Sequence, residues 1–120
     1  MKNKKELLRL KRHRSIRLNM SGSNERPRLI IHRSIRTLSA QAIDDTENKI
    51  LFSLSMQNKS VKQKITNTQN VKAAELFAQV FAQQLKEKGI NKIIFDRAGY
   101  LYHGRIKAFA DGLRKAGVEF

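Results

Sequence analysis

The stretch NKIIFDRAGYLYHGR, residues 91–105, decides the fold of this chain. Its first part, NKIIFD (91–96), is too short and too apolar for anything but a buried strand. Beyond it, Ile106, Phe109, Ala110 and Leu113 fall at the i, i+3, i+4, i+7 spacing of an amphipathic helix that Gly117 ends. Between strand and helix stand an Asp, two Arg, two Tyr, a His and two Gly. That is a strand, a loop dense in polar and aromatic groups, and a helix N-terminus.

Working upstream, Asn70 can cap a helix carrying Ala73, Phe77, Val80, Phe81 and Leu85, with Gly89 where a C-terminal glycine belongs. Before it, RLIIHRS (28–34), LSAQAID (38–44) and ILFSLSM (50–56) read as three strands, and short connections make them an antiparallel meander. QNKSVKQKITNTQ (57–69) lacks periodicity and reads as a loop. The order is βββαβα. A helix between strands three and four returns the chain in the same direction, so strand four is expected beside strand one and parallel to it. The 96–104 loop then leaves the carboxyl end of strand four, where open α/β sheets bind ligands.

Charge names the class of ligand. The 120 residues hold 25 Lys and Arg against 10 Asp and Glu, a formal net of +15. Self-repulsion on that scale calls for a polyanionic partner. Residues 1–17 carry Lys2, Lys4, Lys5, Arg9, Lys11, Arg12, Arg14 and Arg17 against Glu6 alone. This basic arm, residues 1–24, is expected to be helical or disordered when free, with Gly22 and its Ser and Asn neighbours as a flexible joint to a single α/β domain over 25–120. No apolar run approaches the length that crosses a bilayer, the arm lacks a strong amphipathic face for a membrane surface, and no secretory signal is expected. The chain has no cysteine, which excludes thiolate chemistry and Cys-based zinc sites.

Within the loop, Arg97 and Arg105 offer planar donors for phosphate, Gly104 admits close backbone approach at a helix N-terminus, and Tyr100 and Tyr102 can stack on bases. His103 can donate or accept. One tyrosine could instead be core, and Asp96 could simply cap the turn. Arg26, Arg28, Arg33 and Arg36 cluster around strand one, but Arg28 and Arg33 have opposite parity and cannot share a face. An enzyme is the rival reading, since Asp96 with Asp44 and Asp45 suggests a metal-dependent nuclease. Two-metal hydrolysis needs carboxylates converging within a few ångströms, whereas strand two is expected to end away from the carboxyl end of strand four. The three His lack ligand spacing. No metal or cofactor is expected. No zinc-finger, helix-turn-helix or RNA-recognition-motif pattern is present, so a basic arm plus a shaped loop suits folded RNA better than a DNA groove.

FDRAGYLYHGRIKAFADGLRKAGVEF resembles the C-terminal signature of the bacterial large-subunit ribosomal protein eighteen, the 5S-rRNA-binding family. RPRLIIHRS and AQAIDD resemble its first two strands in order and spacing, and the likeness covers the whole chain. The resemblance implies a ribonuclease-H-like mixed four-stranded α/β sheet with helices packed on it and no catalysis. It also implies binding of 5S rRNA, contacts with 23S rRNA, and a place as a monomer in the central protuberance beside the other 5S-binding ribosomal proteins. A cytoplasmic ribosome is expected, the sequence leaving bacterial and organellar origins both open. Carried across, the rRNA-facing residues are Lys4, Lys5, Arg9, Lys11, Arg12, Arg14, Arg17, Arg26, Arg28, Arg33, Gln41, Arg97, Tyr100, Tyr102, His103, Gly104 and Arg105. Ala98 stands where the family often has Gly, so a positive φ there would be strained, and Ser39 replaces a frequent aromatic.

Overall fold

Alternating burial along the strands builds the architecture. In the computed structural model, which describes residues 3–65 and 70–120, β1 (Arg28–Arg33), β2 (Leu38–Asp44), β3 (Lys49–Ser55) and β4 (Ile94–Asp96) form one sheet in the order β3-β2-β1-β4. β1 pairs antiparallel with β2, β2 with β3, and β4 lies parallel to β1 with Ile30 opposite Asp96. The meander and the parallel fourth strand are as the connection rules require. β4 is shorter than the sequence suggests, because Asn91–Ile93 hydrogen-bond instead to the C-terminal segment at Glu119.

Leu29 and Ile31 of β1 and Leu38, Ala40 and Ala42 of β2 point to one face and are buried. α3 (Val71–Glu87) and α4 (Gly104–Lys115) cover that face. Asn70 caps α3 by accepting from the Ala73 amide at 2.8 Å. Phe77, Phe81 and Phe109 are fully buried and in mutual ring contact, Phe77 and Phe109 stacked at 5.4 Å. Burying each contributes roughly 1.5–3 kcal/mol.

Two expectations need correction. The segment read as a loop at 57–69 holds a short helix, α2 (Lys59–Lys62), and buries Val61 and Ile65, the latter just past its end, under the sheet's edge of the core. A single turn with two apolar anchors is too short to show a period; positions 66–69 of that reading lie outside the described residues. The joint at Gly22 is packed rather than flexible. A Cβ there would stand 2.2 Å from the Arg28 nitrogen and 2.6 Å from the Ile43 carbonyl, and the Gly22 amide donates to Asp45 at 2.7 Å. The basic arm is α1 (Lys4–Arg17), a helix that Asn3 caps through the Glu6 amide. It sits at the sheet face opposite α3 and α4, where Leu10 and His13 line a cleft with Ile30, His32, Ser39 and Gln41.

Candidate nucleic-acid interface

Polar contacts to the backbone, rather than apolar burial, hold α1 against the loop that follows β4. None of its residues is buried. Arg9 Nη1 donates to the Ala98 carbonyl at 2.8 Å, and Arg12 Nε to the Gly99 carbonyl at 2.9 Å. The approach depends on Gly99 (φ +80°), where a Cβ would fall 2.2 Å from the Arg9 carbonyl oxygen and 2.8 Å from the His13 nitrogen. Ala98 beside it does adopt the left-handed region, at φ +54°.

A chain of ion pairs extends this contact into the body. Asp96, fully buried, accepts from Arg28 at 2.7 Å and lies 3.2 Å from His13 Nε2, while its other oxygen accepts from the Ala98 amide at 2.8 Å. Arg28 also reaches Asp45 at 3.0 and 3.2 Å, and Asp45 meets Arg17 of α1 at 2.9 Å. Burial pushes the Asp45 carboxyl up, but hydrogen bonds from Arg28 and the Gly22 amide, with the charges of Arg28 and Arg17, outweigh it and hold the group below its usual range. Burial likewise opposes the charge on Arg28, and its two carboxylate partners more than compensate. The carboxylates suspected of binding metal thus have a guanidinium between them, and Asp44 closes its own turn onto Thr46.

Above this network lies an open cleft of about 950 Å³, bounded by the first half of α1, the β1–β2 turn and the start of α4. Lys5, Arg9, Arg12, Arg33 and Arg105 line it, and Glu6 is its sole acidic member, paired to Arg9. Arg105 Nη2 donates to the Ser34 carbonyl at 2.8 Å, fixing the guanidinium beneath the turn. Burial, and then the charge of Arg33, lower its pKa: two cations share this wall, and among the described residues neither has a carboxylate partner. Such a cleft suits a phosphate backbone.

Comparison with known proteins gives the family. A family model described as ribosomal L18 of archaea, bacteria, mitochondria and chloroplast matches residues 3–120. The chain belongs to this family. Relatives named large ribosomal subunit protein uL18 include those of Dictyoglomus thermophilum, 45% identical over 99% of this chain and 97% of the relative, and Thermotoga petrophila, 46% identical over 99% and 98%. That of Brachyspira hyodysenteriae is 47% identical over 93% of this chain and 92% of its own length. This L18-family member is a structural protein of the large ribosomal subunit and not an enzyme.

Within that family setting, the residues singled out from the sequence fall into two groups. Lys4, Lys5, Lys11, Arg12 and Arg14 on α1, with Arg33, Gln41, Tyr102 and His103, are exposed. Gly104 opens α4 at φ +59° with open space around it. The others are spent inside the protein in whole or part. Arg28 is buried in its ion pairs, and Arg9 and Arg17 bind within the arm and body. Arg97 donates to the Tyr100 carbonyl at 2.8 Å, and Arg26 is half-buried. Tyr100 is no free stacking platform: its ring is buried between the guanidinium groups of Arg9 and Arg33, 4.5 and 4.9 Å from its centre. Sequence reasoning missed Ile35, 86% exposed at the tip of the β1–β2 turn, and missed Arg114 and Phe120, which only the folded chain brings beside Tyr102.

Proposed function

We propose that this L18-family chain binds 5S rRNA and helps attach it to 23S rRNA in the central protuberance of a bacterial cytoplasmic ribosome. It acts there as a monomer beside the other 5S-binding proteins. The observation that carries this reading is the division of charge. Carboxylates near the arm are neutralised internally, which leaves Lys5, Arg12, Arg33 and Arg105 around one cleft with an anion as the missing partner. The arm, residues 1–24, supplies attraction to phosphate, and the body, 25–120, supplies the shaped loop. Arg28 and Tyr100 serve from behind the surface: Arg28 fixes Asp96 and Asp45, which meet His13 and Arg17 of α1, and Tyr100 packs against both Arg9 and Arg33. Arg97 and Arg105 stand on either side of the loop as shape-fixed donors, each anchored by a backbone carbonyl. Changing both to Ala is expected to weaken binding to 5S rRNA more than to a length-matched structured RNA. Equal losses on the two RNAs would make them generic phosphate contacts and remove the basis for recognition by this loop.

A further inference from the structure

Beyond the C-terminal end of α1 from the cationic cleft, a second groove of about 570 Å³ runs along the outer edge of β4. Ile16 and Met20 form one wall. The floor is aromatic, with Phe95 and Phe120 stacked at 5.6 Å and 24°. Arg114 lies over Phe120 at 4.2 Å, and Tyr102, 39% exposed, stands at the rim. Three arginines line the groove, Arg26, Arg97 and Arg114, and no Asp or Glu side chain does. Among the described residues neither Arg26 nor Arg114 has an acidic partner, although Arg9, Arg17 and Arg28 each have one. An aromatic stack capped by the planar Arg114 guanidinium and flanked by two further arginines is complementary to a planar base carrying phosphates.

We propose that this groove seats one unstacked nucleotide of single-stranded RNA, with its base against Tyr102 and the Arg114 guanidinium that covers Phe120, and its phosphates on Arg26 and Arg97. The proposal rests on the RNA-binding reading above and adds a site that reads an unpaired base. An added peptide strand is the less suited occupant. β4 has three residues, and the chain's own C-terminal segment already takes the adjoining edge through the Lys92–Glu119 bridge.

The test uses the full chain with Phe120→Trp, which introduces the sole tryptophan of the sequence as a fluorescent floor to the groove. Tyr102→Trp, at an exposed position, is the reporter if the first variant misfolds by circular dichroism. Pentaadenylate should quench the tryptophan saturably and bind at least about fivefold more tightly than an abasic pentamer of the same charge, the lower end of what one base stack supplies. Adding Arg114→Ala should weaken the quench by a similar factor. Absence of quenching, equal affinity for the abasic strand, or equal quenching by an acidic aromatic peptide would each overturn the proposal. A duplex RNA titrated in parallel separates the two readings. Duplex binding without a pentaadenylate response removes the groove alone, and failure of both removes the RNA-binding reading with it.

Discussion

Replacing Gly99 with Ala should release the arm while leaving the body folded. The substitution carries two costs. A left-handed residue with a Cβ pays about 1–2 kcal/mol, and the Cβ itself would stand 2.2 Å from the Arg9 carbonyl, a backbone atom that can yield only if α1 moves away. Moving α1 forfeits the bonds from Arg9 and Arg12 to the loop carbonyls, each a hydrogen bond from a charged donor worth roughly 1.5–3 kcal/mol. Ordering a 14-residue helix opposes docking at every residue, so the margin holding it is a few kcal/mol at most. A penalty of that size leaves the docked arm a minority state, and affinity for RNA falls in proportion to the docked fraction, about tenfold if one molecule in ten stays docked. Gly89→Ala is the matched control: φ is +77°, against +80° at Gly99, and nothing lies within 4 Å of the added Cβ. Both variants should lose about 1 kcal/mol or more in urea unfolding. Only Gly99→Ala should lose amide-exchange protection over Lys4–Arg17 and affinity for RNA. Equal arm protection in the two variants would refute the argument that close approach at Gly99 holds α1.

Three further outcomes follow from the network and the loop. Arg28→Met leaves Asp96 buried without its guanidinium and should cost about 3–5 kcal/mol, read by denaturant melts; a loss under about 1 kcal/mol would mean the pair contributes little. Because the Asp45 carboxyl is held below its usual value in the folded state, the unfolded chain takes up its proton first as pH falls. Asp45 therefore adds stability above its ordinary pKa and loses it as pH drops through the folded value, so Asp45→Asn should flatten the fall in stability between pH 5 and pH 3. An unchanged slope would show that the Asp45 contacts do not survive in solution. Ala98→Gly relieves a left-handed alanine and should raise the melting temperature by a few degrees, about 1 kcal/mol; a lower value would mean that its buried Cβ outweighs the strain.

The strands and the two long helices were legible because their periods are long enough to read. β4 was legible for a different reason, since a short apolar run after a crossover helix has one simple place to pair. Burial separates Arg28, held in its ion pairs, from Arg33, exposed at the far end of β1 and over the Tyr100 ring. Local pattern carries no record of partners distant in sequence. Arg28 meets Asp96 across 68 positions, and Tyr100 meets Arg9 from the far end of the chain. Arg28 looks like a surface contact in a linear reading for that reason, and which of the two loop tyrosines is core stays open. The same limit hid the role of Gly22, whose packing against Ile43 turns a nominal linker into a fixed joint, and the groove that the C-terminus completes with Phe120.

The central claim is that this surface recognises 5S rRNA by shape and does not merely attract polyanions. The most direct measurement is a binding titration of the full chain against 5S rRNA and a length-matched structured RNA, each over a series of salt concentrations. Both should show steep log–log salt slopes, about 0.9 for each duplex phosphate neutralised. 5S rRNA should keep its affinity advantage as salt rises, because hydrogen bonds and stacking contacts made by a shaped loop depend less on ionic strength than the arm's charge does. If the two RNAs lose affinity together and converge, the chain by itself is a basic adhesive, and the claim of shape recognition is contradicted.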